Sequence, residues 1–277
     1  MLHYPQIDPV ALSLGPVKIH WYGIMYLIGF AAAWGLGVFR AKKPYSPIAP
    51  DKVSDAIFYG AMGVVIGGRV GYMLFYNFST LIHQPWVIFQ VWDGGMSFHG
   101  GLIGVMLAMW LYCRKIQCNL FDMLDFFAPM IPIGIFAGRI GNFINGELWG
   151  RVTDSQFAMI FPTGGPLPRY PSQLLEALLE GIMLFTILWI FSLKPRQRYI
   201  LSANFALFYG IFRCTAEFFR EPDPQMGYVL FGWMTQGQLL SIPLIIIGAF
   251  MLLYVSTGKQ KVYNPKAEIF LNKTASA

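Results

Sequence analysis

Seven stretches of predominantly apolar residues run near 17–39, 53–78, 96–112, 121–140, 171–193, 199–219 and 234–255. Each approaches the ~20 residues a helix needs to cross the hydrocarbon core of a bilayer. In lipid every backbone polar group must find a partner within the structure, so repeated runs of this length specify helices. The expected fold class is therefore an all-α polytopic membrane protein with seven transmembrane helices. Composition agrees: 56% of residues are hydrophobic and 12% charged, against about 25% charged in a soluble domain.

Lysine and arginine set the orientation. One set of connecting segments holds Arg40, Lys42, Lys43, Lys52, Arg114, Lys115, Lys194, Arg196, Arg198, Lys259, Lys261, Lys266 and Lys273; the opposite set holds Lys18, Arg151, Arg169 and Arg220. Thirteen against four predicts an N-terminus outside and a C-terminus in the cytoplasm. The net charge of +6 is spread between apolar spans rather than along one element, so nucleic acid is not an expected partner. Cys113, Cys118 and Cys214 lack the paired spacing of a disulfide framework or zinc site. Residues 1–15 carry Asp8 and two prolines with no basic n-region, so no cleaved signal peptide is expected. The organisation that follows is one seven-helix membrane domain over 1–255 and a cytoplasmic tail over 256–277. An outer arm is expected near 79–95 and a small periplasmic head near 141–170. No internal repeat is visible, which disfavours an inverted-repeat transporter.

Residues 138–150 read GRIGNFINGELWG at the end of an apolar run. An arginine in hydrocarbon costs roughly 2.5–3.5 kcal/mol on insertion scales, and the asparagines and glutamate nearby add to this unless they serve one another or a ligand. Tyr209, Arg213, Glu217 and Arg220 fall within one narrow arc at ~100° per residue, and Gln173, Glu176 and Glu180 within another. With the N-terminus outside, Tyr22, His99, Arg139, Gln173 and Arg213 all lie in the outer half of the membrane. Simpler readings exist for several polar groups. His99 is equally well a helix-capping histidine. Arg69 is expected to pair with a carboxylate such as Asp125 or Glu180. Gly63, Gly67 and Gly71 form a ridge for helix packing. Asp122 and Asp125 are expected as N-terminal helix charges, and Tyr22 and Tyr26 suit an interfacial belt. Arg139 and Arg213 exceed what nearby glutamates neutralise, so an anionic ligand is expected to complete the charge balance. No HExxH, no metal-ligating acidic cluster and no P-loop occur, so no metal or other cofactor is expected.

The segments His20-Trp21-Tyr22-Gly23, 93–101, 138–150, Arg169-Tyr170-Pro171-Ser172-Gln173 and 209–220 together resemble bacterial prolipoprotein diacylglyceryl transferases, in the same order from about residue 3 to 255. The resemblance implies an enzyme of the inner membrane. It would move the diacylglyceryl group of phosphatidylglycerol to the lipobox cysteine of preprolipoprotein signal peptides, releasing glycerol phosphate. Its essential groups carry over to His99, Arg139, Asn142, Glu147 and Arg213, with Tyr22, Tyr209, Glu217 and Arg220 in support. Asn145 and Gln173 join them as substrate-binding candidates, and His99, Arg139 and Arg213 are the catalytic candidates. Tyr170 stands where relatives often carry histidine, so no imidazole chemistry is expected there. A transporter for an anionic solute is the rival from another class, but it predicts polar groups continuing across the bilayer. An intramembrane protease lacks its Gly-x-Ser-x-Gly or paired mid-span aspartates.

Overall fold

The computed structural model describes residues 2–15, 17–222 and 227–258. The chain is mostly helical rather than wholly so. A hairpin of β1 (Val10–Leu14) and β2 (Val17–His20) precedes α1 (Trp21–Ala41), and β3 (Tyr228–Leu230) pairs with β4 (Met234–Thr235) before α10 (Gln236–Ser256). The first span therefore starts at Trp21 and not at residue 17, because 17–20 are spent pairing with Val10 to Leu14.

Among the described residues, four helices are long and apolar enough to cross a membrane: Trp21–Ala41, Pro50–Phe75, Ser172–Ser192 and Gln236–Ser256. A fifth arises if α5 (Leu120–Phe127) and α6 (Ile131–Ile144) form one span bent by 50°. Pro132 sits in the first turn of α6, where its missing N–H costs no helical hydrogen bond. The other two expected spans are helical, as α4 (Phe98–Ile116) and α9 (Ile200–Glu217). Polar residues, among them His99, Arg114 and Lys115 in one and Asn204, Arg213 and Glu217 in the other, keep them less apolar. Leu27, Ile103, Phe250 and Leu253 are exposed, the inverse of a soluble protein and the mark of a lipid-facing surface. The expected tail falls outside the described residues from 259 onward.

The chain forms two compact units, Gly37–Met123 and Met1–Leu36 with Leu124–Ala277. In the first, α2 (Val53–Phe75) packs on α4 through facing glycines. A Cβ on Gly63 would lie 2.6 Å from Gly104 O and 2.8 Å from Ala108 Cβ, and one on Gly71 2.7 Å from Gly100 Cα. The glycine ridge is thus a packing device, as expected. Between these helices run α3 (Phe78–His83) and two short 3-10 turns, Pro85–Phe89 and Val91–Asp93. Arg69, on α2, does not pair with Asp125 or Glu180. Its guanidinium donates instead to main-chain carbonyls of Val87, Ile88, Gly94 and Gly95.

In the second unit α1, α6, α9 and α10 are joined by a span in three parts. These are α7 (Ser172–Glu176), a π-helical stretch (Ala177–Met183) and α8 (Leu184–Ser192). Gly248 lets α10 approach α9, since a Cβ there would lie 2.6 Å from Leu207 N. Asp125 is not simply a first-turn charge of its own helix: it accepts from Ser202 N at 2.8 Å and from the Ser202 hydroxyl, which fastens the start of α9. The stretch 150–169 is tied by isolated bridges, Gly150 with Arg220 and Val152 and Met159 with Arg169. A small core is formed by Phe143, Met159 and Phe161, closed by Tyr4, Trp149 and Leu174.

Candidate functional site

The sequence places Arg139 on α6, Glu176 and Glu180 on the α7 span, and Arg213 and Glu217 on α9; in the structure all five meet. Arg139 Nε lies 2.7 Å from Glu176 Oε2, and Arg139 Nη2 lies 3.2 Å from Glu180 Oε2. Arg213 Nη1 is 3.3 Å from Glu176 Oε1 and 3.6 Å from Glu180 Oε1, while its Nη2 pairs with Glu217 Oε1. Arg220 joins at 3.8 Å from Glu176 and 4.0 Å from Glu217. Glu176 therefore touches all three arginines.

This geometry corrects the charge balance. Three guanidiniums face three carboxylates, so the arginines do not exceed the glutamates around them. The sequence placed Glu176 and Glu180 on the right face but could not say that both reach Arg139 and Arg213. The side chains of Glu176 and Glu180 are 1% and 0% exposed, those of Arg139 and Arg213 17% and 14%. The acids are sealed, and the arginine side chains keep some exposure. Both ion pairs of Arg139 use Nε and Nη2, which leaves Nη1 outside them. Several contacts are ionic without hydrogen-bond geometry, since Arg213 Nη1, Glu180 Oε1 and both oxygens of Glu176 are buried without a hydrogen-bond partner. Tyr209, one turn before Arg213 on α9, stacks on Phe205 at 5.5 Å.

Glu217 is held from a second side by Thr235, whose hydroxyl donates to Oε2 at 2.5 Å. Thr235 is also the N-cap of α10 in a capping box with Gln238. Gly237 follows because a Cβ there would lie 2.5 Å from the Glu217 carboxylate. Neither residue was a candidate from sequence, though Thr-x-x-Gln ahead of an apolar run is a legible helix start.

The second cluster forms where α6 ends. Asn142 Nδ2 and Asn145 Nδ2 both donate to Glu147 Oε1, at 2.9 and 3.2 Å. Gln173 Nε2 donates to Glu147 O at 2.6 Å and the Ser172 hydroxyl to Leu148 O at 2.9 Å, so α7 begins by gripping this loop. Leu148 adopts φ 58° and Gly146 φ 65°. A non-glycine residue held in the left-handed region is a local cost that its surroundings must offset. Tyr22 packs on Gly141, where a Cβ would fall 2.8 Å from its ring, and its hydroxyl lies 3.4 Å from that of Tyr26. Tyr4, missed from sequence, donates to the carbonyls of Phe143 at 2.7 Å and Ile144 at 3.0 Å, and burial pushes its phenol above the ordinary value. His99 belongs to the Gly37–Met123 unit, where it is exposed in the first turn of α4 beside the Phe98 ring at 5.6 Å.

Residues 9–254 match the family described as prolipoprotein diacylglyceryl transferase. The phosphatidylglycerol--prolipoprotein diacylglyceryl transferase of Coxiella burnetii (strain RSA 331 / Henzerling II) is 59% identical over 261 residues, covering 94% of this chain and 100% of the relative. Its counterpart from Francisella tularensis subsp. mediasiatica (strain FSC147) is 58% identical over 267 residues, covering 95% and 100%. The clustered arginines of α6 and α9, the 138–150 segment and near-complete coverage by these relatives lead to one conclusion: this membrane protein belongs to the prolipoprotein diacylglyceryl transferase family.

Proposed function

We propose that the protein transfers the diacylglyceryl group of phosphatidylglycerol to the lipobox cysteine of a preprolipoprotein, at a site on the periplasmic side of a seven-span, N-out protein of the inner membrane. The observation that carries this reading, beside family membership, is the Arg139–Glu176–Glu180–Arg213–Glu217 cluster, in which the arginine side chains stay partly exposed while Glu176 and Glu180 are sealed.

In the reaction the cysteine sulfur attacks a glycerol carbon of the lipid. A C–S bond forms, the C–O bond to phosphate breaks, and glycerol phosphate leaves with the electron pair. Phosphate charge rises along the path, and donors already aimed at it stabilise the transition state without reorganising. The cluster is balanced in formal charge, so the headgroup is held by directed N–H donors rather than by a net positive field. Arg139 Nη1 is the natural first donor, with Arg213 beside it. Glu176, Glu180 and Glu217 hold both guanidiniums in place. Asn142, Asn145, Glu147, Gln173, Tyr22, Tyr209 and Arg220 line or brace the headgroup site. The substrate thiol, with pKa about 8.5, is mostly protonated near neutrality, and His99 accepts its proton as general base.

Purified protein is incubated with phosphatidylglycerol and a lipobox peptide, and the peptide is followed by mass. The expected result is a gain of one diacylglyceryl group with stoichiometric glycerol phosphate. Arg139→Ala and Arg213→Ala are each expected to insert normally and lose transfer, and wild-type rates in either would end the assignment. His99→Gln is expected to lose the acid limb of the pH profile and recover rate at high pH. An unchanged profile leaves His99 as an anchor rather than the base.

A further inference from the structure

Arg69 is 4% exposed, inside the apolar span α2. Nη2 donates to Val87 O at 2.6 Å, Nε to Ile88 O at 3.3 Å, and Nη1 to Gly95 O at 3.3 Å and to Gly94 O. These carbonyls come from two separate places in the arm, the turn Pro85–Phe89 and the Gly94-Gly95 pair just ahead of α4. A planar guanidinium with five donors can bracket both at once, whereas an ammonium cannot reproduce that fork.

The arm has little packing of its own. Trp86, Phe89, Val91 and Trp92 are exposed. Gly94 and Gly95 hold φ 77° and 76°, and a Cβ on Gly95 would run into the ring of Tyr72, one turn along α2 from Arg69. Immediately after, Ser97 N donates to Gly68 O at 2.9 Å, and the Ser97 hydroxyl caps α4 by accepting from Gly100 N at 3.2 Å. Two adjacent residues of α2, the carbonyl of Gly68 and the side chain of Arg69, therefore grip both ends of residues 94–97. His99 is the second residue of the helix that starts there.

We propose that Arg69 is a positioning residue for the transfer reaction: by clamping the arm it fixes where and at what angle α4 begins, and so aims the imidazole of His99. This rests on the role given to His99 above. A charged donor is used because charge-assisted bonds are stronger than neutral ones and the arm has little packing of its own, and four acceptors converge on it.

The test uses full-length protein in phosphatidylglycerol nanodiscs with a lipobox peptide, comparing Arg69→Lys and Arg69→Gln alone and combined with His99→Gln. Arg69→Lys is expected to lower kcat by on the order of 100-fold with KM little changed, the scale of a misplaced reacting group. In the His99→Gln background the same change should add less than about threefold, because two residues acting as one unit are not additive. Hydrogen exchange over residues 85–95 should quicken in both Arg69 variants, a readout that does not depend on activity. Wild-type kcat in Arg69→Lys, unchanged exchange in the arm, or a loss that multiplies fully with that of His99→Gln would overturn the inference alone. A fully active His99→Gln would instead remove the role of His99 and this inference with it.

Discussion

Replacing Glu176 by glutamine removes one negative charge from the centre of the arginine cluster while hardly changing its shape. Glu176 is 1% exposed and lies 2.7 Å from Arg139, 3.3 Å from Arg213 and 3.8 Å from Arg220. At an effective dielectric near 20 the closest of these contacts corresponds to roughly 6 kcal/mol of attraction. Much of that offsets the cost of taking both ions out of water, and removing one partner from a buried pair leaves a net loss of about 3–5 kcal/mol. For a chain of this size that is a fall of roughly 10 °C in the unfolding temperature, at 2–4 °C per kcal/mol. The variant cluster is left with one excess positive charge, so phosphatidylglycerol should restore more of the lost stability than a zwitterionic lipid does. The assay is thermal unfolding by tryptophan fluorescence in detergent, repeated with each lipid, and transfer activity on the same samples. An unfolding temperature unchanged from wild type, or equal recovery with both lipids, would refute the reasoning that Glu176 neutralises these arginines.

Gly63→Ala should destabilise by about 1–3 kcal/mol through overpacking, since its methyl would meet Gly104 O at 2.6 Å; Gly60→Ala, with its nearest neighbour at 3.8 Å, should be nearly silent in the same unfolding measurement. Gly237→Ala should push the Glu217 carboxylate off Thr235 and Arg213, lowering kcat while the protein still inserts, as read by lipidation of the peptide. Tyr4→Phe should cost about 1 kcal/mol for the lost hydrogen bond to the end of α6 and quicken hydrogen exchange at 143–147; unchanged exchange there would deny the tether.

Side-chain patterns were legible where they repeat along a helix. The glycine ridge of α2, the Tyr209–Arg213–Glu217 face of α9 and the Glu176–Glu180 face of the α7 span could all be read from spacing, and residues of each face meet partners in the structure. Arg69 was misread because its partners are carbonyls, which every residue carries and no sequence pattern advertises. The balance of arginines against glutamates failed for a related reason. Periodicity gives direction around an axis but not which of two acids reaches which base across a gap. The short pairing of 17–20 with 10–14 was hidden because Val17 and Ile19 extend the apolar run that leads into α1. Thr235 was legible as a helix start, but its second bond, to Glu217, depends on where α10 packs.

The wide turn over Ala177–Met183 has a consequence for how one span serves two masters. Ahead of it, Ser172, Gln173 and Glu176 address the 147–148 loop and the arginines; behind it, Leu184 and Leu188 fill apolar contacts with no exposure at all. A π-turn accommodates an extra residue per turn, so it works as a phase shifter, letting the two ends choose their rotational settings independently. A residue inserted beyond this stretch, in α8, has no wide turn to absorb it and should rotate the upper end by ~100° relative to the lower. The span would persist, but its acids would swing away from the guanidiniums.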